Sequence, residues 1–363
     1  MIFVKLLFFA YVMLSVVCIC PFPASLHLPF LLGATPAFYA LLKEARRSQR
    51  HAFTEGSHSN LRTQFRSYFA FCVHYERQPL PADLDTVCAY AQFLSRSVQH
   101  GTILNYLSGL KMLHILLGHT YPFTGNAILR LLLRGLHRLH PHTPNRAPPI
   151  TPDILLSVSR VLDYHSSLES SVFSCSLFLF FTMSRLGSML PKSVKHIKRA
   201  PQSFLTRTRV NTADAQFLLL SFLHTKTIQF GQRVLHVPLL RSDSPLCPVA
   251  AYLHAVNLLA DSSCVPAFAY KNPDGSSHPL LAQEFVRVFR SLLIRAGVSC
   301  ASHYRGHSFR RGGASWAFNN GVPGELIQVV GDWKSDAYKV YLEFSLRSKV
   351  AIAERLVLNL PPS

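Results

Sequence analysis

Across residues 60–75 the apolar positions Leu61, Phe65, Tyr68, Phe69, Cys72 and Val73 recur every three to four residues, the spacing that gathers side chains on one face of an α-helix. A second helix opens at Pro81 and Asp83, since proline fits a first helical turn and a carboxylate suits its positive end. It carries Leu84, Val87, Cys88, Ala91 and Leu94. The period resumes behind a capping Thr102 with Ile103, Tyr106, Leu107, Leu110, Leu113 and Leu117. A fourth stretch, 126–138, sets Arg130, Arg134 and Arg138 four apart on one face. Each helix has one apolar stripe to bury, so residues 41–138 are expected to form a helical bundle.

Between Leu139 and Pro152 the period stops, and five prolines follow one another closely. Residues 139–151 therefore read as an extended, semi-rigid linker and mark a domain boundary. Beyond it, 152–162 and 168–183 read as helices, the second apolar all round and hence buried. Alternation over 217–225 and 233–239 predicts two strands joined through Phe230, Gly231 and Gln232. Helical patterns return at 250–259, 282–296, 307–319 and 324–330, and from Ala337 into the C-terminus. No fixed-period repeat is present. The expected fold is mainly α: an N-terminal bundle, then an α+β domain over 152–363 with a small antiparallel sheet and a C-terminal helix.

The first residues pull in another direction. Lys5 followed by the apolar run Leu6 to Cys20 has the pattern of a secretory signal, and the run is too short for a membrane span. Residues 1–40 are set apart as an apolar leader, with the functional chain expected to begin near residue 40.

Charge narrows the partner. The 363 residues hold 37 Lys and Arg against 18 Asp and Glu, a formal charge of +19 and a pI near 9.9. Lysine and arginine on phosphates release condensed counterions, so a polyanion is the expected partner, duplex DNA above a membrane surface. Nearly half the residues are apolar, which excludes a disordered chain. The eight cysteines lack CxxC spacing and read as reduced core residues, not a zinc site or disulfide scaffold. His137, His140 and His142 read as solvated linker residues, so no metal or other cofactor is expected.

Phosphodiester transfer without a metal needs a nucleophile, cations for the non-bridging oxygens, and an acid for the leaving 5′ oxygen. The chain offers candidates in order: Arg185 in FTMSRLGSML, Lys226 in HTKTIQFGQRVLHVPL, His307 and Arg310 in GHSFRRGGASWAFNNG, Trp333 in VGDWKSDAYKVYLEF, and Tyr341. This order and spacing resemble the tyrosine recombinase (phage-integrase-like) family. The wording is closest to recombinases of DIRS and Crypton mobile elements, in which a phrase like WKSDAYxxY ends the catalytic region. The likeness spans roughly residues 50–350 in layout and is sharp in four short segments.

The resemblance implies a core-binding (SAM-like) bundle before the catalytic domain, and DNA cleavage and rejoining through a 3′-phosphotyrosine, with integration of a mobile element as the purpose. Arg185 and Arg310 would clamp the scissile phosphate, Lys226 would protonate the departing 5′ oxygen, and His307 would take or relay the tyrosine proton. Trp333 would hydrogen-bond or pack against the phosphate. It precedes Tyr341 by one residue fewer than in the bacterial pattern, and Asp332, which would repel a phosphate, occupies the usual offset. Tyr341 is preferred over Tyr338 as nucleophile. The tail bearing Leu346, Val350, Ile352, Leu356 and Leu358 would dock on a neighbouring subunit, although a helix folding back on its own domain accounts for the pattern equally well; docking implies a homo-oligomer, expected as a tetramer on DNA, acting in the nucleus without a small-molecule substrate or a membrane. The first alternative is a catalytically silent DNA-binding protein derived from such an enzyme; a relaxing topoisomerase of the same chemistry and, last, a secreted binding protein follow it.

Overall fold

The computed structural model describes residues 35–121, 123–141, 146–259 and 266–342, with 346, 349–350 and 353–354 beyond them. The apolar run Leu6 to Cys20 and most of the C-terminal tail lie outside the described residues. The chain divides into two compact units, Met1–Pro144 and Asn145–Ser363.

The first unit is helical: α1 (Pro36–Arg50), α2 (Glu55–His74), α3 (Leu84–Ser95), α4 (His100–Leu116) and α5 (Ala127–Leu139). Helix α1 runs across the boundary set at residue 40, started by Thr35, whose hydroxyl accepts the Phe38 N–H. Asp83 caps α3 by accepting the Thr86 N–H at 2.7 Å. The α4 start differs from expectation: its cap is Gln99 without a side-chain bond, and Thr102 lies inside the first turn. The predicted stripes meet in one core, where Phe65, Phe69, Val87, Ala91, Ile103, Leu110, Leu129 and Leu136 are buried. Tyr68 and Tyr90 meet edge to face with centroids 5.1 Å apart. Buried His114 holds the loop before α3: Nε2 accepts the Ala82 N–H at 3.1 Å while Nδ1 faces the Leu110 carbonyl at 2.9 Å. Arg130, Arg134 and Arg138 stay exposed on the side of α5 away from the core.

The second unit comprises α6 (Pro152–Val161), α7 (Ser167–Phe181), α8 (Leu186–Met189), α9 (Val194–Arg199), a sheet of β1 (Val210–Asn211), β2 (Phe217–Phe222) and β3 (Leu235–Leu240), α10 (Pro248–Leu259), a hairpin of β4 (Ala269–Lys271) and β5 (Ser277–Pro279), then α11 (Ala282–Arg295), α12 (Gly306–Asn319) and α13 (Gly324–Val330). The sheet is antiparallel in the order β1-β2-β3, with Phe217 opposite Leu240 and Phe222 opposite Leu235. Helix α7 is its spine: every residue from Ser170 to Phe180 is buried, as an all-round apolar helix requires. Ser176 and Thr182 satisfy their hydroxyls on the Val172 and Phe178 carbonyls of the preceding turn.

Helix α12 crosses α7 at Gly313, where an added Cβ would lie 2.0 Å from the Phe180 carbonyl oxygen. Backbone cannot yield as a flexible side chain does. Gly313→Ala is therefore expected to cost about 3 kcal/mol in urea unfolding; unchanged stability would show that the two helices are free to separate.

Other segments depart from the sequence reading as well. Strand β2 ends at Phe222 and β3 starts at Leu235, because Thr225 and Thr227 turn their hydroxyls to Asp332 and leave the ladder. The second half of the expected linker is bound to its own unit: the buried Ile150 donates its N–H to the Ser308 carbonyl at 3.0 Å, and Thr151 caps α6. The chain after Ser335 forms a 3-10 helix, Asp336–Tyr341, where an α-helix into the C-terminus is predicted.

Candidate phosphate-binding site

The site forms where α7 ends. Met183, at φ +51°, turns the chain so that Arg185 stands at the head of α8. Helix α12 starts against that turn: Gly306 has no Cβ, and one would lie 2.8 Å from the Leu186 Cβ. The approach puts His307, second residue of α12, beside Arg185. One turn along, Arg310 points inward and is 1% exposed, among the largest fully buried side chains.

A buried guanidinium needs acceptors. Nη1 of Arg310 donates to the Met183 and Gly331 carbonyls, the second at 2.7 Å. Its Nε and Nη2 are buried without a hydrogen-bond partner among the described residues. Trp333 lies flat beneath, the guanidinium carbon 3.5 Å from its ring centroid, a cation–π contact in a water-poor place. Gly331 makes room for that ring, since a Cβ there would be 1.7 Å from it. Burial, then the charge of Arg185, push the Arg310 guanidinium down to about 9, opposed by Tyr341 and Asp332. An incoming anion would relieve both causes by supplying charge and acceptors.

Tyr341, half-buried at the end of the 3-10 helix, has its backbone fixed by Ser315, whose hydroxyl donates to the Tyr341 carbonyl at 2.9 Å. Its ring is 5.8 Å from the Arg310 guanidinium, 5.6 Å from the Trp333 ring, and nearly parallel to His307 at 6.5 Å. Tyr338 is instead buried against Trp333 and α13, where a Cβ on Gly324 would lie 2.5 Å from its hydroxyl. The His307 pKa is held below the usual histidine value by desolvation of its ring, then by the charges of Arg310, Arg185 and Lys226, although the residue as a whole is exposed.

The structure thus gathers His307, Arg310, Trp333 and Tyr341 in direct contact or one ring away, with Arg185 half-buried at the margin. Lys226 is exposed on the β2–β3 connection, close enough for its charge to reach His307. The Asp332 carboxylate is taken up by Thr225 at 2.5 Å, Thr227, and Arg233 at 2.6 Å, with Arg185 at 4.0 Å. Sequence reasoning misses this carboxylate's partners and the Met183 and Gly331 carbonyls under Arg310. The threonines flanking Lys226 in the run TKT are the one signal that could have pointed to the first.

No protein-family model and no curated protein matches the sequence. Solved structures do. The Tn1549 transposon integrase in complex with transposon right end DNA is 12% identical with a TM-score of 0.55, covering 87% of this chain and 98% of that one. XerH site-specific recombinase bound to difH substrate is similar in its pre-cleavage complex, at 12% identity and a TM-score of 0.53 over 86% and 83% of the two chains. Its post-cleavage complex on palindromic substrate gives 13%, 0.55, and coverage of 87% and 84%. At such identity the likeness is one of architecture, and the fold of this chain, helical bundle followed by a mainly helical unit with a small antiparallel sheet, is the fold of the tyrosine recombinases.

Proposed function

We propose that the chain cuts and rejoins duplex DNA at specific sites, with Tyr341 as nucleophile. The observation that carries this reading is the unpaired N–H edge of buried Arg310, beside Tyr341, which shares its pocket with an imidazole and a second arginine. A phosphodiester seated there would take paired N–H bonds from Arg310 and charge from Arg185, both strongest as negative charge grows on the non-bridging oxygens. The Tyr341 oxygen attacks phosphorus, its proton passing to His307 and on to solvent. The bond from phosphorus to the 5′ oxygen breaks, and that oxygen takes a proton from Lys226, which regains one from solvent. The products are a 3′-phosphotyrosine and a free 5′ hydroxyl, and attack by another 5′ hydroxyl reverses the step without a nucleotide cofactor.

The bundle, with exposed Arg130, Arg134 and Arg138, would hold the duplex by its backbone, consistent with the excess of positive charge. The motif wording supports a DIRS- or Crypton-like mobile element as the source, assembly as a tetramer on paired sites, and action in the nucleus. Among the described residues no helix is long and apolar enough to cross a membrane.

The reading is tested with a nicked duplex that lets the short fragment 3′ of the break diffuse away. Native protein is expected to retain label from the strand 5′ of the break, as a 3′-phosphotyrosine requires; label kept only from the other side would reverse the polarity and refute the mechanism. The pH profile is a second check. His307 must be neutral to accept a proton, and a lowered pKa keeps it neutral in more acidic solution. The acid limb of cleavage at sub-saturating DNA is accordingly expected below the ordinary histidine value of 6.5; a limb above it would remove His307 as acceptor.

A further inference from the structure

The β2–β3 connection, residues 223–234, carries Lys226 and has little regular structure of its own. It closes on itself locally: the Thr225 N–H donates to the Ile228 carbonyl at 3.0 Å, and the Thr227 and Ile228 N–H groups both reach the Thr225 hydroxyl at 3.1 Å. Such a knot fixes the shape of the loop, not its place. Its place comes from buried Ile228 and from one carboxylate 107 positions beyond Thr225. Asp332, 5% exposed, accepts the Thr225 hydroxyl at 2.5 Å and the Thr227 hydroxyl through Oδ2, and Arg233 at 2.6 Å through Oδ1. Lys226 sits between the two threonines, so the lysine is bracketed by bonds to the same side chain.

The same carboxylate also lies toward the cation cluster. Arg185 Nη1 is 4.0 Å from Oδ2, and the Asp332 charge acts on Arg310. The Asp332 backbone is held at φ +56°, a conformation that short polar Asp and Asn adopt more readily than other non-glycine residues. It lies between Gly331, whose carbonyl receives Arg310, and Trp333, which stacks beneath it. One residue thereby joins the loop of Lys226 to the floor of the phosphate pocket.

We propose that Asp332 is a positioning residue: its buried carboxylate clamps the Thr225–Thr227 turn and Arg233, and so delivers Lys226 to the leaving 5′ oxygen at a fixed distance from Arg185 and Arg310. The inference rests on the strand-cleavage reading given above. A long, exposed lysine side chain has many rotamers, and a loop free to move would add backbone freedom to them, lowering the fraction of complexes in which the acid is within reach. Without Asp332, Arg233 and two threonine hydroxyls lose their acceptor, and the pocket loses its counter-charge.

Two DNAs separate this role from simple structural support: the ordinary duplex, and one in which sulfur replaces the bridging 5′ oxygen of the scissile phosphate. A thiolate departs without protonation, so a defect in delivering the acid disappears on the second substrate. Asp332→Ala is expected to slow cleavage of ordinary DNA about 100-fold and of the sulfur substrate by less than about 5-fold, the same pattern as Lys226→Ala. Asp332→Asn, which keeps the backbone preference and an acceptor oxygen but not the charge, should fall between native and alanine and serves if the alanine variant does not fold. Backbone amide exchange of residues 223–234 should quicken in either variant. Equal loss on both DNAs, cleavage of ordinary DNA at the native rate, or unchanged exchange would each overturn the positioning role. Native protein cleaving neither DNA would instead overturn the strand-cleavage reading, and the exchange result alone would then decide whether Asp332 holds the loop.

Discussion

Tyr341→Phe is expected to abolish the covalent protein–DNA adduct while leaving DNA binding intact, and Tyr338→Phe to retain adduct. The two tyrosines are three residues apart on one 3-10 helix, yet their surroundings differ. Tyr338 is 5% exposed, its hydroxyl pressed toward Gly324, so a phosphate would have to displace α13 to reach it. Tyr341 is half-buried and open toward His307 and Arg310. Phenylalanine keeps the ring that packs on Trp333 and removes only the attacking oxygen, so the loss should exceed about 1,000-fold, with no slower route left for covalent attack. Adduct that survives Tyr341→Phe and vanishes in Tyr338→Phe would move the nucleophile and require a different pocket.

Arg310→Met separates function from stability. Cleavage is expected to fall about 1,000-fold, the scale for removing a preorganised donor to a developing oxyanion. Arg310→Lys should fare little better, because an ammonium cannot both bridge the Met183 and Gly331 carbonyls and present a planar N–H edge. Thermal stability should nonetheless be unchanged or higher with methionine. Arg310 is a cation in a dry site with two N–H-bearing nitrogens unpaired, and an apolar side chain of similar volume removes that desolvation penalty, offsetting the two carbonyls left without a donor. A strongly lowered melting temperature in Arg310→Met would mean that the arginine is there to hold the fold.

Much of this architecture is legible in the chain because its signals are local. The stripes of α2 to α5 follow from apolar spacing, the all-round apolar run of α7 announces burial, and the turn at Gly231 adopts the positive φ of 67° that glycine tolerates. What escapes is set by distant partners. The ends of β2 and β3 depend on Asp332 drawing Thr225 and Thr227 out of the ladder. The second half of the supposed linker is fixed by Ile150 meeting Ser308 and by Gly312, where a Cβ would lie 1.8 Å from the Ile150 carbonyl oxygen. The hairpin of β4 and β5 has strands of three residues, too short for periodicity to register, although its Pro-Asp-Gly turn is a readable signal. Order along the chain picks out Arg185, Lys226, His307, Arg310, Trp333 and Tyr341 as candidates, but not the division of labour between neighbours 332 and 333. Only packing reveals that the carboxylate turns to the hairpin while the indole lies under Arg310.

Where a DNA phosphate sits decides whether Arg310 and Tyr341 act on it. A structure of the Tyr341→Phe protein bound to its DNA addresses this directly. The scissile phosphate should place non-bridging oxygens about 2.7–3.2 Å from Arg310 Nε and Nη2, with Arg185 on the same group and residue 341 in line behind phosphorus. A phosphate seated elsewhere, with that arginine edge still unpaired, would contradict it.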